Sequence, residues 1–164
     1  MRLRAMAKIN LGLDVVRKRE DGYHDVRMVM QTIRMYDFLE ITPKKSKGIF
    51  LTTNLPYVPV DERNLVYKAA KLLMDEFHVD DGVRIQLQKF IPVAAGMAGG
   101  SSDAAATLVG INRIFHLGLT PAELMRRGVA IGADVPYCIL RGTALAEGMG
   151  EQLTSLPPLP FCYV

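Results

Sequence analysis

Residues 92–104 read PVAAGMAGGSSDA. The run separates an alternating stretch, VRIQLQ at 83–88, from an apolar-periodic one, AATLVGINRIF at 105–115. Within 92–102 there are three glycines, three alanines and two serines, too many for a turn whose only task is to start a helix. Helix N-termini leave backbone N–H groups unpaired and carry partial positive charge, and phosphate satisfies both. Small residues let that backbone approach a bulky anion, and glycine allows positive φ, so that successive N–H groups can converge as a nest. The pattern predicts a strand–loop–helix cradle for a di- or triphosphate. It lacks the Gly-Lys-Ser/Thr of a P-loop and the spacing of GxGxxG.

The elements around the loop mix strands and helices without regular βαβ alternation. Ala7, Ile9, Leu11, Leu13 and Val15 alternate with polar residues as one half-buried strand, with Lys8 and Asn10 on its polar face. Residues 26–41 read as two strand segments broken near Met35–Asp37, and 49–53 as another. Asn64 can cap a helix over 65–77 with Leu65, Ala69, Leu72 and Phe77 near one face. Ala104, Leu108, Ile111 and Phe115 mark the inner face of the helix after the loop. Thr120, Pro121 and Glu123 spell a capping box. Residues 136–148 read as a strand, an Arg-Gly turn and a second strand. The fold class expected is α+β with a mixed or antiparallel sheet.

The chain has 164 residues, 49% hydrophobic and 23% charged, with a formal charge of +3. That suits one compact domain and is too mild a charge to indicate nucleic acid. Cys138 and Cys162 have no partner spacing for zinc or a disulfide framework. No signal peptide or spanning segment is legible, so the expected location is the cytoplasm. LPPLPFCYV at 156–164 reads as a linker running into the start of a further strand. The expected organisation is therefore a domain over 1–156, with 157–164 as the linker and the start of an absent second domain.

PVAAGMAGGSSDAA closely resembles the phosphate-binding motif of the GHMP kinases, with Met97 where leucine is commoner. Three further stretches, AKINLGLDVVRKREDGYHDV at 7–26, IGADVPYC at 131–138 and GTALAEGMGE at 142–151, resemble one branch of that superfamily. The branch comprises the kinases of 4-diphosphocytidyl-2-C-methyl-D-erythritol in non-mevalonate isoprenoid synthesis. The resemblance implies a ribosomal-protein-S5-domain-2-like fold with helices on one face of the sheet, covering the ATP-binding half of such an enzyme. It implies ATP with Mg2+, phosphoryl transfer to a 2-hydroxyl, and a small CDP-linked polyol as partner rather than nucleic acid or membrane. The sequence specifies no oligomeric state. Other readings are a mevalonate- or homoserine-type GHMP kinase, or an S5-like nucleotide- or RNA-binding module.

Asp134 matches the family's catalytic base, and Lys8 its motif lysine, which could hold Asp134 ionised and stabilise developing charge. The loop residues Pro92, Val93, Ala94, Ala95, Gly96, Met97, Ala98, Gly99, Gly100, Ser101 and Ser102 are expected on the nucleotide. Asn64 either borders the adenine or serves as a plain N-cap, and Lys89 either contacts nucleotide or is solvated. Tyr23 and His24 are implied in cytosine recognition, and Asn10, on the strand face of Lys8, either hydrogen-bonds substrate or is structural. Asp103 reads as an acid placed to suit the helix dipole. No residue is assigned to metal.

Overall fold

The structure is a computed structural model that describes residues 1–20, 22 and 24–163. Its elements run β1 (Arg2–Lys18), β2 (His24–Lys44), β3 (Ile49–Thr53), α1 (Leu65–Glu76), β4 (Gly82–Gln88), α2 (Gly99–Ile114), α3 (Pro121–Gly128), α4 (Val135–Leu140), β5 (Thr143–Glu147) and β6 (Gln152–Ser155). They build a mixed six-stranded sheet in the order β3-β4-β2-β5-β6, with β1 also on β2. β3 and β4 are parallel, and every other pairing is antiparallel.

One face of the sheet is apolar and covered. Val83, Ile85 and Leu87 on β4, Leu39 and Ile41 on β2, and Ala144 and Ala146 on β5 are buried, while Arg84, Gln86 and Gln88 stay exposed. This is the period-two pattern of a sheet with one wet face. The helices lie on the dry side. α2 packs centrally against β1 and β2, with α1 on one flank and α3 and α4 on the other. Ala104, Leu108 and Ile111 are buried as their spacing indicates. The capping box at Thr120 and Glu123 forms, with proline in the first turn of α3.

β2 runs unbroken through Met35–Asp37, where a break was expected. What changes there is its company. On one edge β2 leaves β5 after Gln31 and takes up β4 from Phe38. On the other edge, Met6 faces Tyr36 but Lys8 faces Thr32, so the register slips by a bulge in β2, residues 33–35 standing opposite the single residue Ala7. Bulges recur beside functional sites because they re-aim side chains.

Three further expectations are corrected. The apolar run at 135–140 is a short helix, not a strand. A brief apolar run does not declare its period, and Pro136 in the first turn suits a helix start. In α1 the buried residues are Val66, Ala69, Ala70, Leu73 and Met74, so the inner stripe is rotated from the expected one, whose Leu65, Leu72 and Phe77 pack partly buried at its margin. Past Asn10, β1 continues as a hairpin arm with Leu11, Leu13 and Val15 exposed rather than half-buried in a core.

Gly82 opens β4 where no side chain fits. A Cβ there would stand 2.0 Å from the backbone carbonyl oxygen of Ser46. Backbone cannot swing aside as a side-chain tip can, so Gly82→Ala must displace the start of β4. Denaturant titration is expected to show a loss of about 2 kcal/mol or more, the range of severe core defects. A change within about 0.5 kcal/mol would mean that the turn at 46–48 yields freely.

Candidate active site

The loop between β4 and α2 is wound in an unusual way. Ala94, Gly96 and Ala98, at every second position, all have positive φ, at 60°, 73° and 54°. Left-handed backbone costs a non-glycine residue about 1–2 kcal/mol, so two alanines there are strained. Ala98 is the N-cap of α2 and offers no side-chain cap. The first intrahelical bond runs from Ser102 N–H to the Ala98 carbonyl. The N–H groups of Gly99, Gly100 and Ser101 precede that bond and open at the helix end. The cleft over them has a volume of about 410 Å³ and is lined by every residue from Pro92 to Ser101, together with Arg63, Asn64, Leu65, Lys89 and Asp134.

Two hydrogen bonds tie this loop to β1, at the bulge. Lys8 N–H donates to the Met97 carbonyl at 3.1 Å. The Ser102 hydroxyl donates to the Met6 carbonyl at 2.6 Å. Backbone groups on either side of Ala7 are therefore satisfied by the loop and helix. Ser102, expected on the phosphates, is buried and does not line the cleft. Its hydroxyl is engaged in fastening α2 to the strand.

The bulge places the Lys8 side chain. Its ammonium is 5% exposed, donates to Asn10 Oδ1 at 3.1 Å and lies 3.8 Å from Asp134 Oδ2. A buried ammonium without such partners would be costly. Asp134 itself, at the N-cap of α4, is about one-third exposed at the cleft wall, and its carboxylate makes no side-chain capping bond. Lys8 and Asp134, 126 positions apart in sequence, are thus brought together beside the loop. Asn10 is exposed and reaches this group through Lys8.

The remaining candidates divide. Asn64 borders the cleft, but both ends of its amide are used internally: Oδ1 accepts from Val66 N–H at 2.9 Å and Nδ2 donates to the Pro59 carbonyl at 2.7 Å. It shapes the wall as an N-cap. His24 is exposed at the start of β2, opposite Lys18. Tyr23 lies outside the described residues. Cys138 is buried, and burial pushes its thiol up to about 12, with the Asp134 charge adding to it. It is a core residue and not a nucleophile.

Lys89 and Asp103 depart most from expectation. Lys89 is buried, and its ammonium is engaged by Asp37 and by Asp103, the latter at 2.7 Å. Burial works to lower its pKa, but the Asp103 charge and the two carboxylate hydrogen bonds outweigh burial and hold it above the usual lysine range. Asp37 also accepts from the N–H groups of Phe90 and Ile91, fixing the chain as it leaves β4. Asp103 is not a solvated acid at the helix start. It sits beyond the first turn, 2% exposed, with Oδ1 unpartnered among the described residues. Among the described residues, no group of three His, Cys, Asp or Glu side chains is arranged to hold a metal.

Comparison with known proteins bears on the family and the fold. Residues 64–142 match the family described as GHMP kinases N terminal domain. Over its whole length the chain is 59% identical to the 4-diphosphocytidyl-2-C-methyl-D-erythritol kinase of Lachnospira eligens, covering 57% of that protein. It is 60% identical over 98% of its length to the kinase of the same name from Lachnoclostridium phytofermentans, covering 55% of it. A crystal structure of a 4-(cytidine 5'-diphospho)-2C-methyl-D-erythritol kinase superposes with a TM-score of 0.83 at 38% identity, over 95% of this chain and 55% of that one. The mevalonate kinase of Methanococcus jannaschii shares the fold, with a TM-score of 0.74 at 15% identity over 96% of this chain and 56% of that one. The chain spans a little over half the length of the curated relatives it matches. It is similar over residues 64–142 to the GHMP kinase N-terminal domain and throughout to the 4-diphosphocytidyl-2-C-methyl-D-erythritol kinases.

Proposed function

We propose that this chain is the nucleotide-binding part of a kinase that moves the γ-phosphoryl group of ATP to the 2-hydroxyl of 4-diphosphocytidyl-2-C-methyl-D-erythritol. The observation that carries the reading is the convergence of Lys8 and Asp134 at the edge of the glycine loop. The identity of the substrate rests on the named relatives. The donor set fits a nucleotide triphosphate, since three helix N–H groups and a strained, small-residue loop face one cleft. Magnesium would enter with the phosphates, and no side chain is assigned to it.

Phosphoryl transfer depends on positioning and charge stabilisation more than on covalent chemistry by the protein. When ATP is bound, the substrate oxygen forms the new O–P bond while the bond to the β–γ bridging oxygen breaks and ADP leaves with that electron pair. Asp134 is placed to receive the hydroxyl proton. Lys8 holds Asp134 and offers positive charge beside the transferring group. Gly99, Gly100 and Ser101 hold phosphate oxygens through their N–H groups. Asn10 orients Lys8 and lies close enough to the reacting centre to contact substrate. Lys89 supports the loop from below. In this reading His24, with Tyr23, serves the cytosine end of the substrate.

Asp134→Asn is expected to lower kcat by about 100- to 10,000-fold, the usual worth of a general base, while calorimetry shows nucleotide affinity nearly unchanged. Normal turnover would remove Asp134 from its role. Gly99→Val is expected to abolish measurable nucleotide binding. A Cβ there already meets Ile91 Cγ2 and Lys89 Nζ at 3.1 Å, and branching adds bulk beneath the phosphate seat. Unchanged affinity would leave the loop as a turn only. Turnover of mevalonate or homoserine in place of the CDP-linked polyol would shift the assignment within the superfamily. Salt-sensitive RNA binding without nucleotide binding would point to a non-catalytic module.

A further inference from the structure

Beneath the glycine loop, three ionisable side chains are almost wholly buried with unbalanced charge. The Lys89 ammonium is shared between Asp37 and Asp103. With all three groups ionised the cluster is net negative. Asp37 is fully committed, with Oδ2 on Lys89 and Oδ1 on the N–H groups of Phe90 and Ile91. Asp103 is not. Its Oδ2 accepts from Lys89 at 2.7 Å, but its buried Oδ1 has no donor. A buried carboxylate oxygen without a donor is costly, and a proton on it removes the charge.

The cluster also lies where an anion would feel it. A Cβ on Gly99 would stand 3.1 Å from Lys89 Nζ, so Lys89 sits directly under the first residue of α2. Lys89 and Asp103 both reach the wall of the cleft that opens onto the α2 N-terminus. Negative charge on the loop would therefore meet a buried surplus of the same sign, weakly screened by solvent. The charged groups packed on Asp103 are Lys89, following β4, and Asp37 on β2. Arg63 before α1 and Asp134 before α4 border the same cleft, with Lys8 on β1 beside Asp134.

We propose that Asp103 is a positioning residue acting through Lys89, and that it takes up a proton from solvent when a polyphosphate occupies the glycine loop. Protonation at Oδ1 leaves Oδ2 to accept from Lys89, so the geometry persists while the repulsion is lost. Lys89 and Asp37 then form a balanced pair under the phosphates. The inference rests on the nucleotide reading of the cleft. Burial already pushes the Asp103 carboxyl up to about 8, with Asp37 adding to it and Lys89 opposing. A bound anion raises it further. Binding therefore draws a proton near and above that pH, and affinity falls as pH rises through the same window.

Calorimetry of magnesium–ADP binding in buffers of different ionisation enthalpy tests this. Phosphate groups with a second pKa of about 6 are ionised at pH 8 and do not contribute. At about pH 8 the heat is expected to vary with buffer, reporting uptake of a substantial fraction of a proton. Near pH 7 the dependence is expected to shrink, and in Asp103→Asn to vanish at both. A purely structural role would lower affinity in the variant and leave the buffer dependence in place, which would overturn the proposal. So would buffer-independent heat in the wild-type protein at about pH 8. The wild-type arm stands without the variant, and the carboxyl carbon signal of Asp103, titrated with and without magnesium–ADP, is expected to shift its midpoint upward. A midpoint unmoved by ligand would contradict the proposal. Absence of any binding heat would overturn the nucleotide reading itself, and the inference with it.

Discussion

The site depends on a fault in the pairing of two strands. At Ala7 the register of β1 on β2 slips, and the backbone groups on either side turn to the loop and to α2. Each unsatisfied buried backbone group would cost a substantial part of a hydrogen bond's worth, about 1–3 kcal/mol. The loop therefore has one place to sit, and Lys8 has one direction to point. β1 pairs with β2 alone, so the outward-facing backbone groups of this edge strand are open to the loop and to α2. The glycine loop and Lys8 share one fixed frame because both are tied to β1 beside Ala7.

Charge is distributed around that frame in layers. Three N–H groups and the dipole of α2 face the cleft. Lys8 and Asp134 stand at its edge. Beneath it lies the Asp37–Lys89–Asp103 cluster, which braces the chain at Phe90 and Ile91. Left-handed Ala94 and Ala98 add strain that these contacts must overcome. The loop is thus held open from below and from the side, ready for an anion, rather than collapsed onto its own helix.

Local chemistry carried much of this into the sequence. Thr120, Pro121 and Glu123 announce the start of α3 through neighbours three residues apart, and the glycines and alanines at 94–100 announce a close backbone approach. Lys8 and Asp134 are linked in the sequence only by motif resemblance, since nothing local couples residues 126 positions apart. The long-range groups were missed. Nothing local to Ser102 signals that its hydroxyl donates to the Met6 carbonyl. Asp37 and Asp103 are drawn together by Lys89 across 52 and 14 positions. The available signal was an acid inside an apolar strand and another followed by three alanines in a helix. The helix at 135–140 and the rotated face of α1 were missed for a different reason: apolar residues on several sides make the period ambiguous.

The central claim is that the α2 N-terminus and the glycine loop hold nucleotide phosphates beside Lys8. The most direct measurement is the set of backbone amide 15N and 1H shifts as magnesium–ADP is added. Gly99, Gly100 and Ser101 are expected to move together, saturably and further than any other amides, with Lys8 following through its bond to Met97. Saturable binding that leaves those three amides in place while shifting another region would contradict the claim.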